Sequence, residues 1–99
     1  MQVATEPAET VEKESIPTLR FSSEDVLPTP AERIARRHDA ERACALGNNY
    51  HGKLDIYFRT ADGTAKRVQT TVWAVHEEYL TLKAGVSIPL RAVLGFDFY

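Results

Sequence analysis

Between Lys53 and Tyr99 the apolar residues recur at every second position, in short runs broken by turn residues. Leu54, Ile56 and Phe58 share one parity, and Asp55, Tyr57 and Arg59 share the other. A strand sends successive side chains to opposite faces, so these are an inward and an outward set. The pattern returns in Leu80 and Leu82 against Tyr79, Thr81 and Lys83, in Val86, Ile88 and Leu90 against Ser87 and Pro89, and in Phe96 and Phe98 about Asp97. Asp62-Gly63 and Ala84-Gly85 separate the runs, because glycine accepts a positive φ without steric cost. The connections are too short for crossover helices, which makes neighbouring strands antiparallel. The predicted fold is mainly β with one N-terminal helix, the strands forming a five-stranded antiparallel small barrel.

Parity also sets the first hairpin. A two-residue loop at Asp62-Gly63 places Ile56 opposite Gln69 and turns polar side chains inward. A three-residue loop, Ala61-Asp62-Gly63, places Ile56 opposite Val68 and Leu54 opposite Thr70. That loop is a type I turn closed by Gly63 in the left-handed region. The predicted core is Leu54, Ile56, Phe58, Val68, Leu80, Leu82, Val86, Ile88, Leu90 and Phe96.

The periodicity changes upstream. Thr29-Pro30-Ala31-Glu32 marks a helix start: Thr29 caps, Pro30 loses no hydrogen bond at the first helical position, and Glu32 completes a capping box. The helix is predicted to run to about Leu46, with Gly47 as its stop. At about 100° per residue, Ala31, Ile34, Ala35, His38, Ala45 and Leu46 form the apolar face, with Arg33, Arg36 and Arg37 on the other side. This stripe is thin, so the helix is expected to lie across one end of the barrel.

Charge divides the chain. The net charge is −2, but residues 1–30 carry Glu6, Glu9, Glu12, Glu14, Glu24 and Asp25 against Lys13 and Arg20. Residues 1–28 are therefore predicted to be an acidic, largely disordered tail, and residues 29–99 the helix and barrel domain. Residues 1–15 offer little apolar surface to offset the entropy of ordering. Ile16, Leu19, Phe21, Val26 and Leu27 are able to pin the following stretch onto the domain. Cys44 stands alone, which excludes an internal disulfide and suits a reducing compartment. With neither a signal-peptide pattern nor a run near the roughly 20 apolar residues that span a bilayer, a cytoplasmic, membrane-free protein is expected.

Chemistry is sparse. His38, His51 and His76 have no metal-ligand spacing to one another or to Cys44, so no metal and no cofactor is predicted. Glu77-Glu78 reads as a charged hairpin tip, and Ser22, Ser23 and Cys44 carry no signature of an activated nucleophile. The prediction is a protein that is not an enzyme, with no catalytic residues. The candidate binding surface comprises Arg33, Arg36, Arg37, Tyr57, Lys66, Arg67 and Trp73. Tyr57 and Arg67 pair across the hairpin in the way that small barrels use to stack bases and hold phosphates. Trp73 points outward if the second strand is regular and inward if a bulge near Thr71-Val72 switches faces.

The C-terminal stretch carries a resemblance. Strand Val86–Leu90, a single turn at Arg91-Ala92-Val93 and strand Leu94–Phe98 resemble the strand, 3₁₀ turn, strand ending of SH3-like barrels. With the preceding helix and the sequence EYLTL…IPLRAV, the layout of residues 30–99 is similar to the Sm-like variant. It is nearest the Rof-type inhibitors of the Rho termination factor and, more loosely, the bacterial Sm-like RNA chaperones. The first resemblance implies an acidic surface that blocks an RNA-binding protein, but this helix carries Arg33, Arg36, Arg37 and Arg42. The second implies rings built through the fourth and fifth strands and a Tyr-Lys-His motif; here the stretch reads Ile88-Pro89-Leu90-Arg91, and Pro89 removes a backbone donor. The function expected from the sequence is a non-catalytic binding or regulatory module that engages a protein partner. The alternative is weak binding of single-stranded nucleic acid.

Overall fold

The structure, a computed structural model, describes residues 8–98. The disorder expected of residues 1–7 falls outside the described residues. Along the chain come β1 (Glu9–Thr10), a 3₁₀ turn (Lys13–Thr18), α1 (Pro30–Tyr50), β2 (Leu54–Arg59), β3 (Ala65–Thr70), β4 (Val72–Val75), β5 (Tyr79–Leu82), β6 (Ser87–Pro89) and β7 (Val93–Asp97). Short 3₁₀ turns at Lys83–Gly85 and Leu90–Ala92 flank β6.

The predicted mainly β, five-stranded antiparallel barrel is not what forms. Among the described residues seven strands make two sheets, one in the order β1-β3-β2-β7 and the other β4-β5-β6. No closed barrel joins them, and the first sheet is mixed because β1 runs parallel to β3. The architecture is mixed α/β: one 21-residue helix on two small sheets. The long second strand expected from the pattern breaks at Thr71. Residues before it stay paired with β2, and residues after it pair with β5.

Within each sheet the parity argument holds. Ile56 faces Val68 and Leu54 faces Thr70, and Gly63 has φ 86° in the loop that the Thr60 N–H closes onto the Thr64 carbonyl at 3.0 Å. The predicted core residues are buried except Val86, which is half-buried. Val72, Ala92 and Val93 join them.

The helix starts as predicted: the Thr29 hydroxyl accepts the Glu32 N–H at 3.2 Å and donates to Glu32 Oε1 at 2.8 Å. It ends later. Gly47 lies inside the helix, and the left-handed residue that closes it is His51, with φ 55°. Gly47 serves a different purpose, because a Cβ there would collide with the Val72 carbonyl oxygen and lie 2.9 Å from Thr71 Cγ2. The buried face is Arg36, Ala40, Ala43 and Gly47, the reverse of the predicted one; Ile34 is 60% exposed. The small residues Ala40, Ala43 and Gly47, at i, i+3 and i+7, let the helix backbone approach β4 and β7, and that close contact outweighs the thin apolar stripe.

The segment predicted to be a largely disordered tail is part of the fold from Glu9 onward. Ile16 is 1% exposed in the core, and Leu19 and Phe21 pack against it, with the Phe21 ring 6.0 Å from that of Phe58. Backbone bonds tie this stretch down: Val11 N–H to Arg67 O at 2.8 Å, Ala61 N–H to Arg20 O at 2.8 Å and Val26 N–H to Arg91 O at 2.9 Å.

Candidate functional site

Helix α1 holds Arg33, Arg36 and Arg37 of the candidate surface, and each is engaged within the chain. Arg36, only 7% exposed, donates through Nη1 and Nη2 to Asp25 Oδ1 and Oδ2 at 2.8 and 2.7 Å, and through Nη1 to the Val93 carbonyl at 3.1 Å. Its Nε is buried without a partner among the described residues. Arg33 Nε donates to the Leu27 carbonyl at 2.9 Å and lies 3.5 Å from Asp25 Oδ2. Arg37 Nη1 donates to the carbonyls of His76 and Glu77, at 2.8 and 3.1 Å. Arg42 pairs with Asp39 at 3.1 Å and stands 4.3 Å over the Phe98 ring. These guanidiniums fasten the helix to the 20s segment, the β4–β5 turn and the C-terminus. Burial raises the Asp25 pKa, but the Arg36 bond, the Leu27 N–H and the charges of Arg36 and Arg33 outweigh it, so the carboxyl sits below its ordinary value.

Tyr57 and Arg67 do face each other across β2 and β3. The basic side chains there are covered by the acidic arm: Lys66 Nζ meets Glu9 Oε1 at 2.5 Å, and Arg67 Nε and Nη2 donate to Thr10 Oγ1 at 3.1 and 2.6 Å. The helix arginines and the Tyr57/Arg67 pair thus do not converge on one open cationic groove.

Trp73 stands apart from both groups. The chain switches sheets at Thr71, the β4–β5 register shifts between Val72 and Ala74, and Val72 enters the core while Trp73 stays 47% exposed. Tyr79 on β5, also 47% exposed, shares this outer side, since Leu80 and Leu82 take the inner one. Tyr79 is absent from the predicted binding surface. The signal was its parity, opposite to that of Leu80 and Leu82, in a strand next to the tryptophan.

A recess of about 270 Å³ opens between α1 and β7, lined mainly by Leu27, Ala31, Ala35, Leu94 and Phe96. Its acidic rim is already engaged, Glu32 by the Thr29 hydroxyl and Asp39 by Arg42. Among the described residues no three His, Cys, Asp or Glu side chains are placed to hold a metal ion. No helix among them is long and apolar enough to cross a membrane. Cys44, half-buried, donates weakly to the Trp73 carbonyl at 3.6 Å. No protein-family model, curated protein or solved structure matches this chain.

Proposed function

We propose that this protein is a non-catalytic module that binds a protein partner through the outer face of the β4-β5-β6 sheet. The observation that carries this reading is the pair Trp73 and Tyr79, exposed on adjacent strands of one sheet face. Large, rigid aromatics give contact area at little conformational cost and anchor many protein interfaces. The engagement of Arg33, Arg36 and Arg37 within the fold, and of Lys66 and Arg67 by the arm, weighs against the nucleic-acid alternative. A groove that tracks phosphates needs cations in a continuous file.

The test uses the full chain as bait, followed by titration of the purified captured protein against wild type and the Trp73→Ala and Tyr79→Ala variants. Each substitution is expected to weaken binding about tenfold or more, the loss typical of a truncated anchor. Equal affinity for wild type and both variants removes this face from the function. Submicromolar binding of single-stranded oligonucleotide with a steep salt slope, lost in Arg67→Ala, replaces the proposal with nucleic-acid binding.

A further inference from the structure

The first sheet ends in a very short strand. β1 contributes only two residues, both exposed, in the register Glu9 to Lys66 and Thr10 to Arg67. The Val11 N–H donates to the Arg67 carbonyl, so the polar backbone of Arg67 turns away from β2 and toward the outer edge. Glu9 and Thr10 add side-chain bonds to Lys66 and Arg67. Val11 is partly buried against the core, and beyond it the chain is anchored separately by Ile16. Lifting residues 9–11 therefore exposes a β edge flanked by two cations and leaves the Ile16 anchor seated.

We propose that the outer edge of β3 is a strand-addition site for an extended acidic segment of a partner protein, occupied in cis by Glu9-Thr10-Val11 and yielded to the partner by exchange. The seated arm shows the chemistry of the occupant. A backbone amide supplies the ladder bond, a carboxylate meets Lys66 and a hydroxyl meets Arg67. An edge strand with an unpaired ladder accepts such a segment through main-chain bonds, and side chains select it. The amide bond in that set favours a peptide over a nucleic acid. A tethered arm competes at an effective concentration on the order of millimolar, so the site is weak toward an added ligand until the arm is released. This site lies on the other sheet from Trp73 and does not rest on the function proposed there.

The experiment titrates a labelled peptide spanning residues 8–14 against the full-length chain and against a full-length Glu9→Lys/Val11→Pro variant, which loses the carboxylate and the ladder donor. The released variant is expected to bind the peptide at least about tenfold more tightly than wild type. Binding is expected to be lost with a peptide bearing Val11→Pro and in chains carrying Lys66→Glu/Arg67→Glu, and to be unchanged by Trp73→Ala. Far-UV circular dichroism checks that the variant folds. If it does not, Glu9→Ala/Thr10→Ala, which leaves the backbone donor in place, is expected to show a smaller gain of the same sign. Equal affinity for wild-type and released chains, no binding to either, or undiminished binding of the proline peptide overturns the strand-addition site. Tighter binding of a single-stranded oligonucleotide than of the peptide by the released chain reassigns the edge to nucleic acid.

Discussion

At the residue scale the most consequential contact is Asp25 with Arg36. The guanidinium is nearly fully buried, and its pairing with both carboxylate oxygens joins α1 to the segment before it. Removing the guanidinium leaves the part-buried Asp25 with the Leu27 N–H and Arg33, so the loss is that of the charge-assisted bonds, about 1.5–3 kcal/mol. Arg36→Ala is thus expected to lower the urea midpoint by a large share of the stability, while Arg42→Ala, at an exposed ion pair, changes it little. The same carboxyl makes folding pH-dependent. Its pKa is depressed in the native chain, so the unfolded chain takes up the proton first, and stability present above the unfolded value of about 3.9 falls as the pH drops. Asp62 adds to this loss. Bonds from the Thr60 hydroxyl and the Thr64 N–H and hydroxyl hold it at about 2. Urea melts between about pH 5 and pH 2 are expected to show decreasing midpoints, with a shallower slope in Asp25→Asn. An identical slope in that variant would show that Asp25 is not the group responsible.

At the element scale, strands were legible and the helix face was not. A period of two survives any arrangement of sheets, so Ile56 against Val68 followed from parity and turn chemistry alone. The inward face of α1 consists of Arg36, two alanines and a glycine, which no hydropathy pattern marks as buried. Close approach decided the orientation, and it leaves its trace only as small residues at helical spacing. A direct test follows from Gly47. In an ordinary helix interior Gly→Ala stabilises by about 1 kcal/mol. Here the added methyl meets the Val72 carbonyl, a backbone group that cannot rotate aside. Gly47→Ala is expected to destabilise by about 1–3 kcal/mol, as overpacking does. Ala45→Leu on the exposed face is expected to stay within about 0.5 kcal/mol. Thermal unfolding of the two variants separates the observed face from the one that hydropathy suggests. The candidate site was legible to the same degree: Trp73 and the Tyr57–Arg67 pairing came from local pattern. The capture of the arginines depends on Asp25, Leu27 and the β4–β5 turn, which only the tertiary fold brings near.

At the scale of the whole molecule, the two sheets share no strand pairing among the described residues; they share one core, and two further elements bracket them. The helix is one bracket, packing on β7 of the first sheet and β4 of the second. The Lys13–Thr18 turn is the other, because it touches β3 of the first sheet and β6 of the second. This second bracket was half legible in the sequence: Ile16 was marked as able to pin its stretch onto the domain, but nothing showed a turn that touches both sheets. Its composition is that of a solvated spacer, its strand is two residues long, and a single isoleucine carries the burial. Domains this small bury too little surface to spare such a contact. Ile16→Ala is therefore expected to cost about 2–5 kcal/mol, as a core truncation does. The effect should reach the far sheet: Trp73 fluorescence and far-UV circular dichroism are expected to shift to lower denaturant together, in one transition. If residues before Thr29 were a spacer, the same substitution would change stability by less than about 0.5 kcal/mol and leave the Trp73 transition in place. Coincident and displaced transitions would make the segment around Ile16 a structural member that ties the two sheets into one cooperative unit.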